Sequence, residues 1–120
     1  MQEFMYVKEG SICHQIVFGS LCYIEAVKRY VKFVTEQKTF LTESPLYKIE
    51  TLLPQDQFCR IHRSYIISLP HVRQFNGKAI TVADRTLPIG RQYKNILTDK
   101  ILIIDHHLNL TRKEIDNLFK

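Results

Sequence analysis

Between Phe58 and Phe75 the sequence FCRIHRSYIISLPHVRQF alternates as a strand does, and the alternation fails at one residue. Successive side chains of a strand point to opposite faces. Cys59, Ile61, Tyr65, Ile67 and Leu69 share one face, and Arg60 and His62 occupy the other. Arg63 falls on the apolar face, where an unpaired guanidinium is strongly unfavourable. The strand is therefore expected to break at His62-Arg63-Ser64 and turn Arg63 outward, with Ser64 capping a short turn into Tyr65-Ile66-Ile67. A chain that interrupts a strand around Arg and His presents those side chains at a surface. Cys59, Ile61, Tyr65 and Ile67 read as scaffold.

Strand-like pieces also dominate elsewhere. Phe4–Val7 ends at the turn Lys8-Glu9-Gly10, and Ile12–Val17 follows. Leu21–Ala26 and Tyr30–Thr35 flank Val27-Lys28-Arg29, and both parities of Tyr30–Thr35 suggest a largely buried strand. Glu36-Gln37-Lys38 turns into Thr39–Thr42. Ser44 as N-cap and Pro45 at the first helical position predict a helix over 45–53, with Leu46, Ile49 and Leu53 on one face and Pro54 as its stop. Asn76-Gly77 predicts a two-residue hairpin between Val72–Phe75 and Ala79–Val82. Ala83-Asp84-Arg85 turns the chain into Thr86–Ile89, and Gly90-Arg91 opens a helical turn through Ile96. Further on, Lys100–Asp105 reads as a strand. Thr111 and Glu114 form a capping box for a short C-terminal helix whose apolar face is Ile115, Leu118 and Phe119. A helix this short is marginal alone, so it is expected to dock on the body or on a partner. The division expected is a body over 1–97 and a strand-plus-helix extension over 98–120.

A chain of 120 residues suits one domain. No apolar run approaches the roughly 18 residues of a membrane helix, and the N-terminus lacks a signal-peptide pattern, so a cytoplasmic protein without membrane contact is expected. Three cysteines without a Cys-x-x-Cys pair argue against a disulfide framework and a zinc knuckle. Cys13, Cys22 and Cys59 are expected to be reduced and buried. Net charge is +5, but its distribution says more. Phe58 to Leu97 carries Arg60, Arg63, Arg73, Lys78, Arg85, Arg91 and Lys94 against Asp84 alone. Such a basic block is either a solvated surface or the footprint of a polyanion, of which nucleic acid is the commonest in the cytoplasm.

Several of these segments together resemble the LytTR-type DNA-binding domain of bacterial response regulators and transcription regulators. The resemblance covers about residues 4 to 97. It rests on Ile24-Glu25-Ala26 before Tyr30-Val31, on Leu52-Leu53-Pro54, and above all on Phe58-x-Arg60-Ile61-His62-Arg63-Ser64-Tyr65-Ile66-Ile67. Arg73 to Phe75 with Asn76-Gly77, and Leu87-Pro88-Ile89-Gly90-Arg91 before Tyr93, complete it. Two positions depart from the pattern: Val27-Lys28-Arg29 stands where the family often has Gly or Asn, and Ser68 where it usually has Asn. The resemblance implies an elongated, mainly antiparallel β fold, a LytTR-like sandwich with one short helix. It also implies sequence-specific recognition of double-stranded DNA by loops in successive major grooves, on paired direct repeats, with a homodimer on DNA possible. The implied loops are Lys28-Arg29, His62-Arg63, and Arg91 with its neighbours.

Arg63 is the leading candidate for base contact, because a guanidinium bonds guanine O6 and N7 together. His62 and Arg91 are candidates for a base or a phosphate, and Lys28 and Arg29 for a third contact. Arg60, Lys78, Arg85 and Lys94 are candidates for phosphate positioning. An enzyme is not expected. Cys59 and His62 point to opposite faces of a straight strand, and His106-His107 lack a third metal ligand. No cofactor is implied. Two rivals stand beside the DNA reading. One is an RNA or single-stranded DNA platform, which would expose stacking aromatics such as Tyr65 or Phe75. The other is an interaction module dimerising through its tail.

Overall fold

The computed structural model describes residues 3–104. Ten strands and two short α-helices follow in order: β1 (Phe4–Glu9), β2 (Ile12–Val17), β3 (Leu21–Val27), β4 (Tyr30–Thr35), β5 (Thr39–Glu43), α1 (Leu46–Leu52), β6 (Phe58–His62), β7 (Tyr65–Ser68), β8 (Val72–Phe75), β9 (Ala79–Val82), β10 (Arg85–Pro88) and α2 (Lys94–Asp99). Short 3-10 turns occupy Phe18–Ser20, Leu69–His71 and Arg91–Tyr93. The mainly antiparallel β expectation holds, and the molecule is elongated, with extents of 52 × 30 × 25 Å.

A five-stranded sheet in the order β5-β4-β3-β7-β6 forms the middle layer. Its two faces carry separate cores. On one, Ile24, Val31, Phe33, Phe40, Phe58 and Ile66 pack beneath the β1–β2 hairpin and α1. On the other, Tyr23, Cys59, Ile61 and Ile67 pack against Ile80, Val82 and Leu87 of the three-stranded sheet β10-β9-β8, and against Leu97 of α2. Burial on both faces explains why Tyr65-Ile66-Ile67 is apolar without interruption. Two register irregularities mark the sheet. One lies between Leu21 and Tyr23 on β3, and the other between Arg60 and His62 on β6. Each follows from an extra residue on one strand, so Cys22 and Tyr23 both face the second core.

The break expected around Arg63 is where β6 turns into β7, with His62 opposite Tyr65 across the tight turn Arg63-Ser64. Ser64 makes no helix cap there; its carbonyl instead accepts from the Ala26 N–H at 2.8 Å, tying this turn to the end of β3. α1 buries Leu46 and Ile49, and Leu53 is buried just beyond it, as the spacing predicts. Its cap differs from expectation. Pro45 is the N-cap with extended backbone, and the Ser44 side chain makes no capping bond. At the other end the Gln55 side chain donates to the carbonyls of Glu50 and Leu53.

Other corrections have local causes. Asn76-Gly77 does not make a two-residue turn, because Phe75 pairs with Ile80 and leaves a longer loop. The Asn76 side-chain oxygen accepts from the N–H groups of Lys78 and Ala79 and organises that loop itself. On β4 only Val31 and Phe33 are buried. Cys22 and Cys59 are buried and free, whereas Cys13, on the outer face of the β1–β2 hairpin, is exposed. Lys100–Ile104 is not a strand. Ile101 packs against the second core, while Leu102 and Ile104 are exposed. Asp105, His106-His107 and the capping box at Thr111 lie outside the described residues. Among those residues no helix is long and apolar enough to cross a membrane.

Candidate nucleic-acid interface

Backbone hydrogen bonds gather four loops at one end of the molecule. The β3–β4 turn carries Lys28 and Arg29, and β3 is bonded near its end to Ser64 of the β6–β7 turn. The Gly90 N–H donates to the Ile61 carbonyl at 2.7 Å, which brings the Arg91–Tyr93 turn against the end of β6. The Ile89 N–H donates to the Lys78 carbonyl at 2.9 Å and adds the β8–β9 loop. Residues far apart in sequence thereby become neighbours. Between the turns, His62, Arg63, Gly90, Arg91, Gln92 and Tyr93 line a shallow depression of about 370 Å³.

Each loop has a local reason for its shape. Lys28 sits at φ 58°, a left-handed conformation costly for a side chain with Cβ. Gly and Asn are the residues that tolerate this conformation best. Gly90 is required for close approach rather than for its φ. A Cβ there would lie 2.9 Å from the Tyr93 ring and 3.6 Å from the His62 Cα. The glycine thus makes room for the Tyr93 ring, whereas the approach to His62 would be an ordinary van der Waals contact.

The candidate cations divide into two groups. Lys28, Arg63, Lys78 and Arg91 are exposed, and none has an ion-pair partner among the described residues. Arg29 is exposed as well. It stacks on Tyr30 at 5.4 Å and approaches Glu43 at 3.8 Å, a loose surface pair that leaves it available. Lys94 is half-buried at the start of α2.

Arg60 is committed inward, and Arg85, though its side chain is 45% exposed, is paired with other side chains, unlike the unpaired phosphate contacts expected of them. The Arg60 guanidinium donates to Glu50 at 2.7 Å, to the His62 carbonyl at 2.8 Å and to the Arg63 carbonyl at 2.6 Å. Its side chain is 11% exposed, and its Cζ lies 5.9 Å from the centre of the Tyr93 ring. Arg60 therefore clamps the backbone of the turn that presents Arg63. Arg85 donates to the Tyr23 hydroxyl at 3.1 Å and to Glu25 at 3.0 Å, and those bonds raise its pKa. Glu25 also accepts from the Tyr65 hydroxyl at 3.2 Å. Burial and the Glu25 carboxylate push the Tyr65 phenol up.

The basic block in the sequence is thus not one patch in space. Arg73 lines a different depression, with His71, Glu36 and Asp84. Lys28 and Arg29, from outside the block, join Arg63 and Arg91 instead. His62 is half-buried. Its Nδ1 accepts from the Ser64 N–H at 3.0 Å, so a neutral ring carries its proton on Nε2. Tyr65 and Phe75 pack against the second core rather than standing free as stacking platforms. Sequence reasoning missed Glu50, Tyr23 and Tyr93 as supports of these loops. Their spacing carries no signal, because each meets its arginine only through packing. Gln92, also missed, was legible only as a neighbour of Arg91.

The family model described as the LytTr DNA-binding domain matches residues 13–102. The CO-responsive transcriptional regulator RcoM of Rhodospirillum rubrum is 37% identical over 80 residues, covering 61% of this chain and 34% of that protein. The sensory transduction protein LytT of Bacillus anthracis is 30% identical over 79 residues, covering 61% of this chain and 32% of its own. The chain thus spans about a third of the length of these relatives. A solved LytTr DNA-binding domain from Bacillus cereus superposes with a TM-score of 0.73 at 21% identity, covering 83% of this chain and 97% of that one, and so shares the fold.

Proposed function

The chain belongs to the LytTr DNA-binding domain family, and on that footing we propose that it binds double-stranded DNA sequence-specifically, as the DNA-reading part of a bacterial transcription regulator. The observation that carries the proposal is the convergence of the β3–β4, β6–β7 and Arg91–Tyr93 turns at one end, each offering an exposed cation without a buried partner. Turns on a rigid sheet can enter successive major grooves without a recognition helix. Arg63 is assigned to a guanine edge, supported by the Arg60 clamp that fixes its backbone. Gln92 suits an adenine edge and His62 Nε2 a phosphate or base. Lys28, Arg29, Lys78, Arg91 and Lys94 position the backbone. Arg60 moves from phosphate contact to support of the turn.

The family resemblance extends the proposal to paired direct repeats as the target, with two copies on one DNA as a homodimer. An RNA or single-strand platform is disfavoured, since Tyr65 and Phe75 are packed against the core. Selection of bound duplexes from a random pool tests the proposal. The expected result is a recurring motif with G at fixed positions in each half. If the Arg63→Ala variant selected the same motif equally well, the base-reading assignment would be wrong.

A further inference from the structure

Between the β6–β7 turn and the Arg91–Tyr93 turn, the depression of about 370 Å³ differs in character from the loops around it. Its lining includes two arginines, a glutamine and a histidine, yet the surface it offers is mainly apolar. Arg63, Arg91 and Gln92 are exposed and stand at its rim. His62 and Tyr93 are half-buried, and Gly90 adds no side chain. Ring and Cα carbons therefore make up the floor.

The Tyr93 ring is fixed where it lies. The Arg60 guanidinium sits 5.9 Å from its centre, and Arg60 is itself bonded to the carbonyls of His62 and Arg63. Gly90 meets the ring edge, where a Cβ would lie 2.9 Å from Cδ2 and 3.4 Å from Cε2. A wall held in this way needs no ordering when a ligand arrives. His62 uses Nδ1 to accept from the Ser64 N–H at 3.0 Å, which leaves Nε2–H as its free donor. A fixed apolar wall beside a free donor is a demanding pattern for a base edge to match. In the major groove adenine and guanine present no methyl group, and cytosine presents a donor, N4. Thymine alone sets a C5-methyl beside an acceptor, O4.

We propose that this depression takes the C5-methyl group of a thymine, with Tyr93 and Gly90 as its walls and the thymine O4 facing the His62 Nε2–H. The proposal rests on the duplex-reading function above and adds a second base to the guanine assigned to Arg63. Arg63 lines the same depression, so the thymine neighbours that guanine. Tyr93, uncharged and set back from the rim, thereby becomes a specificity-determining residue.

Base analogues test this on the full chain. Each thymine of the selected duplex is replaced in turn by deoxyuridine, which removes only the methyl group. Replacing the thymine beside the Arg63 guanine should weaken binding about fourfold, the value of one buried methyl group. The same two duplexes are then offered to two variants. Tyr93→Phe should keep the preference for thymine. Tyr93→Ser should lose it, whereas a merely structural Tyr93 would weaken both duplexes alike and leave their ratio unchanged. Deoxyuridine tolerated at every thymine overturns the proposal and leaves duplex reading intact. So does sensitivity only at thymines remote from the guanine, a motif with no thymine beside it, or a folded Tyr93→Ser variant that keeps the ratio. A selection that yields no motif overturns the duplex reading itself, and this proposal with it. If Tyr93→Ser does not fold, the deoxyuridine series on the unaltered protein decides.

Discussion

Arg60 is where stability and recognition can be separated by one substitution. Replacing it with Ala removes three hydrogen bonds from a guanidinium that is 11% exposed. The bond to Glu50 is discounted because that carboxylate is 39% exposed. The carbonyls of His62 and Arg63 lose charged donors, worth about 1.5 kcal/mol each before water replaces part of them. Together with the Glu50 pair, the expected loss is about 3 kcal/mol. Urea denaturation of the free protein measures it directly. If Arg60 were instead a phosphate contact, the variant would keep its stability and reduce the salt slope of DNA binding by about 1. That pattern, an unchanged midpoint with a shallower slope, would refute the turn-clamp reasoning. The expected pattern is lower stability with binding weakened through misplacement of Arg63.

Other outcomes follow from the same geometry. Arg63→Ala should cost about 1–3 kcal/mol of discrimination between specific and random duplex, read from competition binding. Lys78→Ala should weaken both duplexes alike and lower the salt slope by about 1. Gly90→Ala should push Tyr93 off the Arg60 guanidinium and destabilise the protein by about 1 kcal/mol or more, seen in its melting temperature. Alkaline pH should destabilise the fold. Burial raises the Cys59 and Cys22 thiols above 9.0, and burial with Glu25 raises the Tyr65 phenol above 10.0. An unfolded chain loses these protons first, so stability is intact below about pH 9 and falls as pH rises through the folded values. A melting temperature flat from about pH 8 to about pH 11 would contradict this.

The strands were legible because their pattern is local. The failed alternation at Arg63 located the β6–β7 turn from sterics and charge alone, and the spacing of Leu46, Ile49 and Leu53 located α1. The Asn76 loop was misread because side-chain capping competes with a primed two-residue turn, and composition does not decide between them. Arg60 was read as a phosphate candidate, without its support of the turn, for a related reason. Alternation placed it outward, but outward from β6 faces Glu50 on α1 rather than solvent. Arg85 met Glu25 and Tyr23 from another sheet in the same way. Contacts between layers depend on how the layers pack, and a count of charges along the chain carries none of that. The meeting of Lys28 and Arg29 with Arg63 came from the family resemblance, and the Ala26–Ser64 bond supplies its physical basis.

The central claim concerns one end of the molecule, and mapping amide shifts on titration with a specific duplex tests it most directly. The expected result is a footprint at Lys28, Arg29, His62, Arg63, Arg91 and Gln92, weaker at Lys78 and Lys94. Shifts confined to the far turns, at Glu36–Lys38 and Ala83-Asp84, would contradict it.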